Sequence, residues 1–312
     1  MTKIKDLKEK DRMTLNLLIK SNVKGVTQKG APYLNLVLQD SSGVIDGKFW
    51  DVRPEEMACA ETGKVAAVTF EVLEYNHNLQ LRVNRVTPVD QDTVDMSEYV
   101  MSSAKSTREL QKMINGYVSS VSSLKYRMLV QGMFDKVGKK FYEYPAASRI
   151  HHNYMGGLAE HTLGMAALAE QIISLYPQLN RDLLISGVLI HDMGKTAELG
   201  GLISADYTTE GRLTGHISIC HGWLMEVAAE KGLADTEEAV LLRHMVLSHH
   251  GKYEFGSPVL PLLQEAEILN MIDNIDARMN TLRQAFETVK PGQWTSKLFA
   301  LENRQFYKPK ED

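Results

Sequence analysis

The chain of 312 residues is poor in cysteine and contains no long apolar run. Its two cysteines, Cys59 and Cys220, lie far apart, which excludes a disulfide-stabilised scaffold and a CxxC zinc site. Residues 1–20 carry charges throughout, so they lack the apolar core of a signal peptide. The longest apolar run, residues 183–190, is far shorter than the roughly 18 residues of a membrane-spanning helix. We therefore expect a globular protein of the cytoplasm, with no membrane among its partners.

The chain also lacks a strong excess of either charge. Its net charge is −4, and 24% of its residues are charged and 44% hydrophobic, which excludes disorder of the whole chain. The net charge is −1 over residues 1–95, +5 over residues 96–150 and −8 over residues 151–312. An acidic half beside a basic segment suits a cation-binding domain joined to a domain that binds a polyanion. Chance asymmetry of a solvated surface explains the same numbers.

The first part of the chain has the two-residue period of β-strands. Leu34, Leu36 and Leu38 alternate with other residues, and a turn of sequence Asp-Ser-Ser-Gly follows at residues 40–43. The predicted strands include residues 33–38, 44–50, 64–75 and 79–86. Four or five strands in about 75 residues without disulfides predict a small closed barrel.

After the predicted strands, the two-residue period of apolar residues ends and a helical period follows a linker. Residues 91–106 are polar, acidic and serine-rich, which predicts a linker. From Thr107 onward apolar residues recur with helical spacing, and we expect Gly194 and Gly251 to close helices as C′ glycines. The predicted fold class is multidomain α+β, with a β-barrel over residues 1–90 and an all-α domain over residues 107–312.

Histidine is concentrated in one region of the chain. Nine of the ten histidines fall between residues 151 and 250. They include those of two conspicuous dipeptides, His191-Asp192 and His249-His250. A single histidine on a helix usually makes ordinary structural contacts. His191-Asp192, however, follows a buried helix, where two ionisable groups need partners. A divalent cation is one such partner, and imidazole suits Mn, Fe, Co, Ni and Zn.

The spacing of several histidines and aspartates resembles the signature of a known family. His161, His191-Asp192 and Asp273 match the H…HD…D signature of the HD-domain metal-dependent phosphohydrolases, whose core is expected at about residues 158–280. Residues 33–50 resemble the second and third strands of an OB-fold of the nucleic-acid-binding type. The whole chain resembles the YhaM-type 3′–5′ exoribonucleases of Gram-positive bacteria. Further matching segments are residues 144–148, 151–161, 211–216, 241–251 and 273–279.

This resemblance implies a metal site, and the presence of His216 and the His249-His250 pair favours two ions over the single ion that a mononuclear HD site would hold. One ion would be held by His161, His191, Asp192 and Asp273. The other would be held by His216, His249 and His250, with Asp192 bridging the two. The expected ions are two Mn²⁺, with Fe, Co or Ni as alternatives. Asp276 is expected to orient a ligand, and the roles of His151, His152, His221 and His244 stay open.

The implied reaction is hydrolysis of single-stranded RNA from its 3′ end to nucleoside 5′-monophosphates. Asp192 and Lys195 are the expected catalytic residues. Lys195 would neutralise a phosphate oxygen, or would complement a helix dipole, and both roles are compatible. Since the reaction needs no 2′-hydroxyl, single-stranded DNA is a second expected substrate.

An OB-fold binds single strands through basic and aromatic side chains. The candidates are Lys24, Lys29, Tyr33, Lys48, Trp50 and Arg82. Strand alternation places Phe49 and Trp50 on opposite faces, so one of the two belongs to the core. For each aromatic residue, core packing is the competing interpretation.

Two other functions compete with the exoribonuclease. One is an HD-type phosphodiesterase or nucleotidase that acts on small nucleotides, and the barrel argues against it. The other is a single-strand nucleic-acid-binding protein with a vestigial metal site, and the full ligand set argues against that. The sequence leaves open the native metal, the preference for RNA over DNA and whether the chain forms a homo-oligomer.

Overall fold

The computed structural model describes residues 2–27, 30–75, 78–147, 152–201 and 207–310. Packing divides the chain into two compact units: the first extends to Ser102 and also includes Gly201, and the second comprises the other described residues from Ser103 onward. The first unit contains the strands and the second is helical, which confirms the mixed α+β class. Within the described residues, no helix has both the length and the apolar character needed to cross a bilayer.

Five strands form the closed barrel that the sequence predicts. Strand β1 pairs with β4 to close the order β1-β2-β3-β5-β4, which is OB-like. The β3–β5 pairing is parallel, and the other strand pairs are antiparallel. The strands are β1 (Arg12–Val26), β2 (Pro32–Asp40), β3 (Gly43–Trp50), β4 (Val65–Tyr75) and β5 (Asn78–Pro88), with helix α1 (Pro54–Cys59) between β3 and β4.

The leucine alternation of β2 builds the barrel core. Leu34, Leu36 and Leu38 are buried, as their period of two predicts. Leu34 lies opposite Phe49, which is 2% exposed, whereas Trp50 is 46% exposed. Phe49 is therefore the core residue of that pair, and Trp50 belongs to the surface.

The first part of the predicted linker packs on the barrel instead of connecting two units freely. The Gln91 side chain accepts a hydrogen bond from the Val65 N–H (3.1 Å) and donates one to the Val65 carbonyl (2.9 Å). The Ser41 N–H donates to the Glu98 carbonyl (3.0 Å), and Val100 is buried. Composition could not predict these contacts, because they depend on partners far away in the sequence.

Helices build the second unit around one hydrophobic core. Helix α2 begins as the sequence predicts at Thr107, where Ser106 and Glu109 form a reciprocal capping box. The helices are α2 (Thr107–Ser120), α3 (Leu124–Val137), α4 (Lys140–Glu143), α5 (Gly157–Leu175), α6 (Arg181–Ile190), α7 (Lys195–Glu198), α8 (Thr209–Glu230), α9 (Glu237–Ser248) and α10 (Gln264–Glu287).

The two glycines expected to close helices differ. Gly251 has a φ of +75°, which suits a C′ glycine and confirms its prediction. Gly194 has a right-handed backbone (φ −59°, ψ −21°) and precedes α7, so its predicted role as a left-handed C′ residue is wrong. A Cβ atom at Gly194 would clash with the carbonyl of His216. The glycine is needed because two backbones approach each other closely there.

We expect a fragment that starts at Ser103 to fold on its own, since the unit boundary lies there. It should keep its helical circular dichroism and melt cooperatively. A fragment that starts at residue 91 should be no more stable than the fragment that starts at Ser103. The additional residues would have lost their partners in the barrel, which Gln91 and Val100 contact in the whole chain. Thermal melts of the two fragments check this. A fragment from Ser103 that is unfolded while the longer one folds would contradict the expectation.

Candidate metal centre and nucleic-acid surface

Five segments of the helical unit bring the seven predicted metal ligands together. They come from α5, the turn after α6, the middle of α8, the end of α9 and α10. In that order they contribute His161, then His191 and Asp192, then His216, then His249 and His250, and finally Asp273. No two neighbouring segments alone could assemble this set, so it depends on tertiary packing.

The seven residues form two groups of possible ligand atoms. His161, His191 and Asp273 form the first group, and Asp192 with the other three histidines forms the second. Within each group the ligand atoms lie within 4.8 Å of one another. In the first group, His161 Nε2 lies 3.3 Å from Asp273 Oδ1.

Asp192 lies between the two groups and presents one oxygen to each. Its Oδ2 is 3.3 Å from His191 Nε2 and 3.8 Å from His161 Nε2. Its Oδ1 is 3.4 Å from His216 Nε2 and 3.6 Å from His249 Nε2. This is the arrangement a carboxylate needs to bridge two cations.

Three histidines at helix ends have their tautomers fixed by backbone carbonyls. The Nδ1–H of His191 donates to the Val188 carbonyl (2.9 Å), and that of His249 donates to the Val246 carbonyl (2.7 Å). The Nδ1–H of His250 donates to Phe255 (2.7 Å). A carbonyl only accepts, so the proton is on Nδ1 and the Nε2 lone pair is available to a metal.

Carboxylates hold the other two histidines. His161 Nδ1 lies 2.7 Å from Asp276 Oδ2, and His216 Nδ1 lies 3.1 Å from both oxygens of Glu198. The His216 N–H also donates to Glu198 (3.1 Å), because Gly215, with a φ of +69°, interrupts α8 just before it. Such carboxylate partners orient metal-binding imidazoles and raise their basicity.

Several inward-facing atoms of the site are buried without a hydrogen-bond partner among the described residues. They are the Nε2 atoms of His191, His216 and His249, together with Asp192 Oδ1. Burying such atoms unsatisfied is costly, and natural structures rarely do so without a reason. A pair of divalent cations would satisfy all of them.

The protonation states suit metal binding. Burial, with neighbouring histidine charge, lowers the pKa of His249, and it lowers the pKa of His250 to about 4. Burial alone would raise the pKa of Asp192, but the Lys195 charge beside it holds that pKa well below its usual value. Neutral imidazoles and ionised carboxylates are the forms that bind metals.

His161 differs from the other ligands. Burial lowers its pKa, but hydrogen bonds to Asp273 and Asp276 outweigh burial and raise it to about 9. A cation therefore has to displace a proton from this ring, so binding at the first group should release a proton near neutral pH.

Lys195 lies at the edge of the site. Its Nζ lies 2.6 Å from Asp192 Oδ2, and the charge of Asp192 raises its pKa against the opposing effect of burial. Lys195 is the first residue of α7 and does not lie in the last turn of α6, as the helix-dipole interpretation required. Its ammonium contacts the site through its side chain.

Sequence reasoning missed Glu198 and Gly164 and left His152 open. His152 Nε2 lies 2.8 Å from Asp276 Oδ2, so one carboxylate oxygen receives both His152 and His161. A Cβ atom at Gly164 would clash with Asp276 Oδ1. Gly164 lies one helical turn after His161, so the two residues share a helix face. This spacing is a sequence signal that could have indicated a close approach beside His161. Nothing in the sequence around Glu198 indicates its role.

Other histidines lie outside the two groups. His221 Nε2 accepts a hydrogen bond from Arg243 (3.0 Å), and His244 Nε2 accepts one from the Leu262 N–H (2.9 Å). His151 lies outside the described residues.

On the barrel, the structure groups most of the nucleic-acid candidates on one surface. The rings of Tyr33 and Trp50 lie 4.9 Å apart, and Lys48 Nζ lies 5.9 Å from the Tyr33 ring centre. A cleft of about 460 Å³ is lined by Lys48, Trp50 and Arg82, with Leu73, Tyr75, Gln80 and Leu81. Arg82 also pairs with Glu71 (2.6 Å).

Of the two remaining barrel candidates, Lys24 does not line that cleft. Lys24 is exposed on β1 opposite Leu34, and Lys29 lies outside the described residues.

The chain matches one domain family over part of its length, and it matches several known proteins over more than 90% of its length. The HD domain family matches residues 158–278. The 3′–5′ exoribonuclease YhaM of Geobacillus sp. (strain WCH70) is 42% identical over 300 residues, 96% of this chain and 92% of the relative. The protein of that name from Bacillus pumilus (strain SAFR-032) is 41% identical over 96% of this chain and 95% of its own. The one from Bacillus subtilis (strain 168) is 42% identical over 94% and 93%.

We expect Asp276→Asn to weaken Mn²⁺ binding about 10- to 100-fold, since partners of metal-binding histidines have effects of that size. Gly164→Ala should act in the same direction, because its methyl group displaces Asp276. Gly222→Ala is the matched control, since a Cβ atom there meets open space on α8. Isothermal titration with Mn²⁺ measures the affinities. Unchanged affinity of Asp276→Asn with intact helicity would remove Asp276 from any positioning role.

Proposed function

Since this chain belongs to the family of the YhaM 3′–5′ exoribonucleases, we propose that the two groups around Asp192 hold the pair of divalent ions with which it hydrolyses RNA. The protein is a metal-dependent 3′–5′ exoribonuclease. The observation that carries the proposed ion pair is the orientation of five imidazoles. Each has its Nδ1 engaged outward, by a carbonyl or a carboxylate. At His191, His216 and His249 the opposite ring nitrogen, Nε2, is buried with no hydrogen-bond partner among the described residues, which leaves it for a cation.

We assign His161, His191 and Asp273 to the first ion and His216, His249 and His250 to the second, with Asp192 shared. Seven ligands exceed what one ion can use while it keeps positions open for substrate. The mixture of imidazole and carboxylate suits Mn²⁺, with Fe, Co or Ni as alternatives. The carboxylates of Asp192, Asp273 and Glu198 act electrostatically on the ammonium of Lys195, and this excess of negative charge favours cations.

Divalent ions bound there would supply a water molecule of lowered pKa and positive charge for the phosphoryl oxygens. The residues of the chain orient and balance these charges. Asp276 and Glu198 hold the rings of His161 and His216 in place. Lys195, whose ammonium lies beside Asp192, would neutralise a phosphate oxygen of the terminal nucleotide.

The barrel surface would hold the single strand upstream of the cleaved bond. Tyr33 and Trp50 offer stacking faces, and Lys24, Lys48 and Arg82 offer positive charge for phosphates. A small nucleotide needs no such surface, which favours an RNA strand over a small-nucleotide substrate. We include single-stranded DNA among the substrates, because none of the proposed residues requires a 2′-hydroxyl.

We expect purified protein saturated with Mn²⁺ to contain two ions per chain. Asp192→Ala should lower binding of both ions and abolish hydrolysis, since it removes the shared carboxylate. Binding of RNA by the barrel should persist. Asp235→Asn, a change at an exposed carboxylate, serves as control. Metal analysis and RNA binding measure the outcome. A ratio that stays at one while activity is intact would refute the ion pair.

We expect 5′-labelled RNA to give a ladder that shortens from full length, and 3′-labelled RNA to give mononucleotide from the start. Products should be nucleoside 5′-monophosphates, because the 3′-oxygen leaves. Single-stranded DNA should be cut more slowly, and a stable 3′ hairpin should stall the enzyme. Gel electrophoresis with mass spectrometry of the products checks this. Early internal fragments, or 2′,3′-cyclic phosphate ends, would overturn the proposed bond cleavage.

A further inference from the structure

After α10 the chain folds back on itself in a segment that the metal-centre assignment does not use. We call residues 288–310 the C-terminal hairpin. Its two arms are joined by bridges between Trp294 and Tyr307 and between Leu298 and Arg304. Hydrogen bonds from the Thr295 N–H to the Phe306 carbonyl and from the Lys308 N–H to the Gln293 carbonyl, both 2.9 Å, complete the pairing.

The C-terminal hairpin is fastened to α10, the helix that carries Asp273. At its tip, Glu302 pairs with Arg278 (3.1 and 3.3 Å), and Leu301 is buried. At its base, Lys308 Nζ donates to the carbonyls of Phe286 and Val289, both at 2.8 Å. Arg278 follows Asp273 by five residues, so the tip docks about 7.5 Å along the helix axis from a proposed metal ligand.

Three of its four aromatic side chains are exposed. Trp294 is 63% exposed, Phe299 is 83% exposed and Tyr307 is 41% exposed. The rings of Trp294 and Tyr307 lie 5.3 Å apart at 51°. A cleft of about 500 Å³ beside them is lined by Trp294, Arg304 and Gln305. Exposed aromatic rings beside a cleft offer faces on which planar groups can stack.

Its charge is opposite to that of its surroundings. The C-terminal hairpin has five basic residues and one acidic residue, and Glu311 and Asp312 follow it, so the net charge of residues 288–312 is +2, whereas that of residues 151–312 as a whole is −8. Glu302 is already paired with Arg278 and Arg304. Among the described residues, no carboxylate lies within 4.0 Å of the ammonium groups of Lys290, Lys297 or Lys310. Lys290 and Lys297 are therefore available to a polyanion, whereas Lys310 directly precedes the acidic residues Glu311 and Asp312.

We propose that the C-terminal hairpin is a second binding site for single-stranded RNA, distinct from the barrel surface. Bases would stack on Trp294 and Tyr307, while Lys290 and Lys297 contact phosphates. This inference rests on the exoribonuclease function. Helix α10 rises about 21 Å from Asp273 to its last residue, Glu287, so only a strand of several nucleotides reaches both the metal centre and the base of the hairpin.

A second copy of this chain is the other possible occupant. A two-fold contact through this surface would bring the same unpaired lysines of both copies face to face, which is unfavourable. A polyanion with planar bases matches both the charge and the exposed rings. The experiment separates the two occupants.

The aromatic part of the site is tested with the double variant Trp294→Ala/Tyr307→Ala, with EDTA present to prevent hydrolysis. Fluorescence anisotropy measures the binding of a single-stranded RNA long enough to reach from the metal centre to the base of the C-terminal hairpin. We expect binding about tenfold weaker, the effect of losing base stacking on an aromatic ring. Tyr176→Ala, at an equally exposed tyrosine after α5, should leave binding unchanged. Trp294→Phe, which retains a stacking face, should bind nearly as wild type.

The charged part is tested with Lys290→Gln/Lys297→Gln. Loss of two phosphate contacts should reduce the slope of log affinity against log salt by about 1.4 for a single strand. Lys112→Gln, a change at an exposed lysine of α2, is the control. With Mn²⁺ present, the aromatic variant should raise KM for long RNA and leave kcat and the hydrolysis of a dinucleotide unchanged.

Wild-type affinity and an unchanged salt slope in these variants would overturn the inference. It would also be overturned if the aromatic variant lost mass by light scattering while each chain bound RNA as before, since the surface would then join copies of the chain. Failure of the wild-type protein to release nucleotides from RNA would instead count against the proposed metal centre, and is read separately.

Discussion

The buried charge of Asp192 is the constraint on which the helical unit depends. A carboxylate buried among imidazoles is costly unless its field is balanced. Lys195 balances one oxygen, and the two groups of histidines surround both. The apolar helices around it supply a low-dielectric setting, which makes each of these interactions stronger than it would be in water. The same packing that stabilises the fold thus creates the demand for cations.

Helix ends supply most of the geometry. His191 and His249 each follow the last residue of a helix, where the carbonyl three residues earlier is free to accept the Nδ1–H. The backbone therefore fixes the tautomer without any additional side chain. Where the backbone cannot do this, at His161 and His216, the chain uses Asp276 and Glu198 instead.

The sequence predicted the features that depend on local patterns. The leucine period of β2 predicted the barrel, the H…HD…D spacing predicted the family, and both are confirmed. Features that depend on distant partners were not predictable. Glu198 meets His216 only after α8 folds back, and the contacts of Gln91 require the finished barrel. Gly194 has the residue type of a helix end, but its role is close packing against His216, which no local pattern indicates.

That contact between Gly194 and His216 has a mechanical consequence. The turn that carries His191 and Asp192 touches the start of the second part of α8 through backbone atoms, with no side chain between them to absorb a displacement. Side chains can change rotamer, whereas two backbones in contact move together. A shift of His216 is therefore transmitted to the turn that carries Asp192. We therefore expect the Asp192 turn and His216 to move together, with a spacing that is set by the main chain and not by the identity of either ligand.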